Sequence, residues 1–307
     1  MRAGAQAHIL PAMLDRLAGL LPFAAADRLI VQAARLQGVR SRRVQTPRGP
    51  GHVLELKGEG PGPPVVLLHG LGSMGADYLL LMQSLAAHHR RVLAPDLPGH
   101  GEAPPPVGGM VQQAVLPALI AHLDAVLDEP ALVFGNSLGG LAAIRFAQAR
   151  PHRVRALALA SPGGAPLPAA ELRVLLDGFD LHDTDGAEAF VDRFLGPISP
   201  LRPLAPLIAR GVQARMARPG PAALIQNAHA DALLTEDDLR GLAMPTWIFW
   251  GDADRVLPPA CAAFFAAHLP PRGVFERGVG FGHATYLDDL GAFSRRLRSF
   301  GGAYAGD

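Results

Sequence analysis

Apolar runs of two kinds alternate along most of this chain: short continuous ones, and longer ones with helical spacing. Residues 42–46 and 52–57 flank a Pro-Arg-Gly-Pro-Gly stretch at 47–51 and read as an opening hairpin. The runs 65–68, 92–94, 132–134, 154–159, 247–250 and 273–276 follow, each leading into Gly, Pro, Asp or Ser. Continuous apolarity without alternation is the pattern of strands covered on both faces. With helical stretches between most of them, the eight elements predict a mostly parallel, eight-stranded α/β sheet with helices on both faces.

One interval breaks the alternation. Residues 165–241 contain no convincing strand and read as amphipathic helices around 169–177, 187–195, 206–216 and 221–234, punctuated by Pro197, Pro200, Pro203, Pro206, Pro219 and Pro221. The expected organisation is an N-terminal helical extension at 1–41, a sheet core at 42–164 and 242–307, and a helical cap at 165–241. Residues 9–36 have helical apolar spacing, but Asp15, Arg16, Asp27 and Arg28 interrupt any run long enough to span a bilayer. The stretch 17–26 has the length of a signal h-region, yet a long segment carrying Asp15 precedes it, so no signal peptide is expected.

Composition narrows the function classes. The chain has 307 residues, 49% hydrophobic and 18% charged, with a net charge of +1. That is a globular composition, and near-neutrality argues against nucleic acid as the partner. The total hides an asymmetry: residues 1–50 carry eight arginines and two aspartates. A membrane-surface helix is compatible with that, although a helical extension packed on the main domain is the reading favoured. Cys261 is the single cysteine, which rules out an intramolecular disulfide and a cysteine-rich metal site and fits a reducing, cytoplasmic compartment. It sits in an Ala/Phe-rich helical pattern and is read as a small buried hydrophobe.

The candidate chemistry begins at Gly135-Asn136-Ser137-Leu138-Gly139, a Gly-x-Ser-x-Gly pattern after an apolar strand and before an Ala-rich helix. Such a turn forces the serine into strain with its hydroxyl exposed, and glycines two residues to either side leave room for it. The backbone N–H of Leu138, at the helix start, would face a developing oxyanion. A second donor must come from another loop, and Leu71, in the His69-Gly70-Leu71-Gly72 turn after the strand at 65–68, offers it. His69 and His100 are expected to shape their loops. A serine nucleophile needs a base, and the base a carboxylate. Asp252 and Asp254 follow one strand and His283, flanked by glycine, follows the next, so serine, acid and histidine occur in that chain order at the ends of different strands.

From about residue 50 onward the chain resembles the α/β-hydrolase superfamily of esterase- and lipase-like serine hydrolases with a helical cap. The resemblance implies Ser137 as nucleophile, His283 as base, and Leu71 and Leu138 as oxyanion donors. The family's Gly-x-x-Asp-x-x-x-Pro segment falls on Gly251, Asp254 and Pro258 and favours Asp254 over Asp252 as the acid. The expected reaction is hydrolysis of a small-molecule carboxylic ester through an acyl-enzyme, with no metal or organic cofactor needed. Cap residues such as Leu172, Leu175, Leu176, Phe179, Phe190 and Met216 suggest an apolar acyl or alkyl group, although most of them are expected simply to pack the cap's own helices. A serine at 137 sets aside the relatives that use aspartate. Alternatives are a carbon–carbon hydrolase of the meta-cleavage type, whose members carry tryptophan where this chain has Ala284, a thioesterase or acyltransferase, and a non-catalytic receptor on the same fold.

Overall fold

The computed structural model describes residues 23–229 and 232–304. The first part of the N-terminal helical pattern, residues 9–22, lies outside the described residues. Helix α1 (Phe23–Leu36) leads into strands β1 (Arg40–Thr46) and β2 (Gly49–Lys57), then β3 (Val65–Leu68), α2 (Leu79–Ala86), β4 (Arg91–Pro95), α3 (Gln112–Val126), β5 (Ala131–Asn136), α4 (Leu138–Ala149) and β6 (Val154–Ala160). After a helical interval come β7 (Thr246–Gly251), a helix at Pro259–Ala267, β8 (Gly273–Gly278) and a last long helix at Leu290–Ala303.

All eight strands join one sheet in the order β1-β2-β4-β3-β5-β6-β7-β8. β1 and β2 pair antiparallel, as do β2 and β4, and every later pair is parallel. The hairpin is tighter than its sequence suggests. Thr46 pairs with Gly49, so the turn shrinks to Pro47 and Arg48, with Thr46 Oγ1 donating to the Gly49 carbonyl at 2.8 Å. Gly49 has φ +113°, which the sharp reversal requires.

The apolar runs are buried on both faces because successive side chains alternate. Val66, Leu68, Leu93, Val133, Leu157 and Ile248 enter one core cluster. Their neighbours Val65, Leu67, Val92, Leu132, Phe134 and Phe249 enter the other, which Val31 and Ala34 of α1, Leu81 and Met82 of α2, and Phe293 and Leu297 of the last helix complete. α1 therefore packs on the sheet domain through one stripe and leaves Leu29 and Leu36 exposed on the opposite side. No described helix is long and apolar enough to cross a membrane.

Between β6 and β7 the chain forms α5 (Ala169–Asp177), α6 (Thr184–Phe194), α7 (Ala205–Met216), α8 (Pro219–Gln226) and α9 (Glu236–Arg240). Asp183 caps α6 by accepting from the Gly186 N–H at 2.7 Å. The helix expected over 221–234 stops at Gln226. A separate short helix, α9, begins after Thr235, whose side chain and that of Asp238 form a capping box. Phe179, Phe190, Val191, Ala209 and Met216 make a small core within this segment. Leu172, Leu234 and Leu239 instead join the sheet's own core.

Candidate active site

Ser137 sits between β5 and α4 with φ 56° and ψ −122°, one of two non-glycine residues with positive φ among the described residues. Such a conformation persists only where the surroundings enforce it. Its carbonyl accepts the N–H groups of Gly140 and Gly163, both at 2.8 Å, and its own N–H donates to Ala160 at 3.2 Å. A Cβ on Gly139 would lie 2.0 Å from the Leu68 carbonyl oxygen, and one on Gly135 would lie 2.2 Å from that of Gly139. The turn therefore closes only with glycine at both places.

The loop after β3 abuts this turn. A Cβ on Gly70 would touch the Ser137 Cβ at 3.4 Å, and the Ser73 N–H closes a turn over Leu71 by donating to the Gly70 carbonyl at 3.2 Å. His69 braces the loop: Nδ1–H donates to the Gly70 carbonyl at 2.8 Å, and Nε2 accepts the Leu97 N–H at 2.9 Å. Burial lowers the His69 pKa and keeps the ring neutral, as both bonds require. The His100 ring lies tilted against it, centroids 5.4 Å apart, its pKa pushed down to about 3 by burial and by His69.

His283 and Asp254 meet. The Nδ1–H of His283 donates to Asp254 Oδ2 at 2.9 Å, and both side chains are buried. Asp254 Oδ1 accepts the N–H groups of Val256 and Leu257 at 2.9 and 3.2 Å. Burial alone would raise the Asp254 pKa; the charge and hydrogen bond of His283, with those two backbone donors, outweigh it and hold the carboxyl below its ordinary value. Asp252 does not reach the histidine. Its Oδ1 accepts the Gly280 N–H at 2.7 Å and shapes the loop instead.

Residues with no sequence-level role place that loop. Asn136 Nδ2 donates to the His283 carbonyl at 3.0 Å and to that of Ala160 at 2.9 Å, which brings the segment beside Ser137 and the His283 loop to one end of the sheet. The His283 N–H donates to Phe194 at 2.9 Å, and buried Asp288 accepts from Gly196 and Gly282 at 2.8 and 2.7 Å. Asn136 stood next to the nucleophile candidate in sequence; Asp288 had no local signal.

A cavity of about 230 Å³ opens at Ser137, Leu71 and Leu138. Leu172, Leu175, Leu176 and Phe179 line it, whereas Phe190 and Met216 pack within the helical segment. Its remaining wall includes Leu116 and Leu119 of α3 and Leu224 of α8, which the pattern along the chain did not single out. Cys261 also lies on the wall, its thiol pushed up to about 11 by burial, and it is therefore protonated and inert near neutral pH. Arg145 is the arginine on the wall and is already engaged by Asp238 at 2.7 Å and the Leu233 carbonyl at 3.1 Å. Among the described residues, no group of acidic, histidine and cysteine side chains could hold a metal ion.

Comparison with known proteins agrees with the sheet order. A family model described as alpha/beta hydrolase fold matches residues 63–290. The chain is 34% identical over 259 residues to a pimeloyl-[acyl-carrier protein] methyl ester esterase of Xanthomonas axonopodis pv. citri, covering 78% of this chain and 96% of that one. It is 29% identical over 266 residues to a 2-hydroxymuconate semialdehyde hydrolase of Pseudomonas putida, covering 81% and 91%. Among solved structures, a membrane phospholipase A superposes with a TM-score of 0.77 at 23% identity, covering 97% of this chain and 98% of that one, a likeness of fold. With this sheet, this family match and these relatives, the chain belongs to the alpha/beta hydrolase fold family.

Proposed function

We propose that this hydrolase cleaves carboxylic esters with an apolar acyl or alkyl group, using Ser137, His283 and Asp254, and that residues 165–241 act as a cap over the cavity. The observation that carries the reading is the strained Ser137 turn at the mouth of an apolar cavity, on the same sheet end as the His283–Asp254 pair. With Nδ1–H committed to Asp254, Nε2 is the basic nitrogen of His283. It takes the Ser137 proton as Oγ attacks the ester carbonyl, and the oxyanion is held by the N–H groups of Leu71 and Leu138. As the tetrahedral adduct collapses, the C–O bond breaks and His283 protonates the departing alcohol. Water, deprotonated by the same nitrogen, then releases the acid and restores Ser137. The lowered pKa of Asp254 keeps it ionised throughout.

The alternative reading, carbon–carbon cleavage, involves a dienoate substrate whose carboxylate a free cationic side chain would favour. Arg145 on the cavity wall is already paired with Asp238, which favours the ester. Ser137→Ala should lower turnover of a short p-nitrophenyl ester by at least about 10³-fold. A fluorophosphonate should label Ser137 in the wild-type enzyme. Unchanged turnover by the variant, or an unlabelled serine, sinks the reading.

A further inference from the structure

An ion cluster behind the Leu71 loop joins three distant parts of the chain. Arg215, near the end of α7, donates through Nη1 to Asp77 Oδ2 at 2.7 Å and through Nε and Nη2 to Asp27 Oδ1 at 3.0 and 2.7 Å. Arg218 donates to the other oxygen of Asp27, which lies on α1. The side chains of Arg215, Asp27 and Asp77 are 15%, 14% and 20% exposed, so solvent screens them little. Asp77 Oδ2 also accepts the Ser73 hydroxyl at 2.6 Å and the Met74 N–H at 3.2 Å. Ser73 is the residue whose N–H closes the turn over Leu71. The loop is clamped from the same side sterically: Gly72 has φ +68°, and a Cβ there would lie 2.3 Å from the Met216 Sδ. Residues 215 and 216 thus hold this loop by charge and by contact.

We propose that Arg215 is a positioning residue for the oxyanion loop: through Asp77 and Ser73 it fixes the direction of the Leu71 N–H, and it takes its own place from Asp27 of the amino-terminal helix. A guanidinium suits the task because its planar fork engages two carboxylates at once, which an ammonium on a flexible stem does not. On this view α1 contributes to turnover although it touches no reacting atom. The inference rests on the reading of Leu71 as an oxyanion donor.

The test compares wild type with Arg215→Met, Arg215→Lys and Asp27→Asn. The readouts are kcat and KM on p-nitrophenyl butyrate, Ki for an alkyl trifluoromethyl ketone, Ki for the matching alkyl ether as ground-state ligand, and melting temperature. The ketone forms a tetrahedral adduct with Ser137 whose oxyanion needs the Leu71 N–H; the ether needs only the cavity. A donor removed outright costs on the order of 10²–10³ in kcat, so one left in place but misdirected should cost about 10- to 100-fold. Arg215→Met should show that loss in kcat, with KM within about threefold. Its ketone Ki should rise in proportion and its ether Ki should not change. Arg215→Lys should fall between Met and wild type. Asp27→Asn, which keeps the Arg215–Asp77 bond, should show a smaller loss of the same kind and decides the matter if Arg215→Met fails to fold. A lowered melting temperature with wild-type kcat and ketone Ki would overturn the inference and leave a purely structural ion cluster. Fluorophosphonate labelling of wild type separates the two levels: labelling with unaffected variants refutes only the role of Arg215, whereas absence of labelling refutes the ester mechanism and this inference with it.

Discussion

Lengthening the acyl chain of a p-nitrophenyl ester, one or two carbons at a time from acetate, probes the cavity at Ser137. Its wall is leucine-rich, and its arginine is already neutralised by Asp238, so each added methylene leaves water for apolar contact. Burial of a methylene is worth about 0.8 kcal/mol. Since about 1.4 kcal/mol is tenfold in rate, kcat/KM should rise roughly fourfold per carbon. At about 30 Å³ per water-sized group, the volume of about 230 Å³ holds on the order of seven or eight such groups. The rise should therefore run to chains of about that length and then level off. Ala142, on α4 and on the cavity wall, supplies the control. Ala142→Phe should move the break to shorter chains and leave the acetate rate near wild type. A series flat or falling from acetate refutes the apolar acyl site. An Ala142→Phe variant that slows every ester equally refutes its placement.

Two further outcomes follow from the buried ionisable groups. Asp254→Asn should lower kcat by about 10³–10⁴-fold in steady-state assays, because an amide can hold His283 in the wrong tautomer; Asp252→Asn, whose amide oxygen still accepts the Gly280 N–H, should stay within about tenfold. Acid should destabilise the fold through His69, His89, His100 and His122, whose pKa values burial lowers, to about 3 for His100. The unfolded chain binds these protons near pH 6.5 and the folded chain does not, so the stability they contribute is full above about pH 6.5 and lost as pH falls toward 3. Melting temperatures should drop steadily from pH 7 to 4.5; a flat profile would contradict the neutral, buried rings.

What was readable along the chain was what short range decides. Buried strands announce themselves as continuous apolar runs, and the glycines around Ser137 are dictated by carbonyls two ångströms from any Cβ they might carry. Chain order left Asp252 and Asp254 both open and only the family pattern favoured Asp254; the His283 Nδ1–H meets Asp254, and Asp252 accepts the Gly280 N–H of the neighbouring loop. The helical interval was less legible because its prolines and caps compete. The apolar spacing ran on past Gln226, but the capping box at Thr235 and Asp238 offers the chain a second helix start, and the register breaks between them. Cavity walls drawn from α3 and α8 depend on tertiary packing, to which no single segment's periodicity points.

The arginines carry the same lesson about distance. With one lysine and 27 arginines the chain is compositionally biased, and many of its ion pairs reflect no more than that. Arg173–Asp177 and Arg240–Glu236 are exposed pairs four residues apart, which water and salt largely screen. Arg145 and Arg215 differ in burial and in reach. Arg145 spans from α4, directly after the Ser137 turn, to Asp238 and the Leu233 carbonyl in the helical interval, 93 and 88 residues away. Arg215 spans 188 residues to Asp27 and 138 to Asp77. Breaking a partly shielded pair leaves a charge with less water to take the partner's place, and so costs more than breaking an exposed one. Two long-range ion pairs thus tie the helical interval to the rest of the chain, one on the cavity wall and one behind the Leu71 loop, beside the hydrogen bonds of Phe194 with His283 and of Gly196 with Asp288. Of the two, only the Arg215 cluster touches the loop that carries the proposed oxyanion donor, through Asp77 and Ser73.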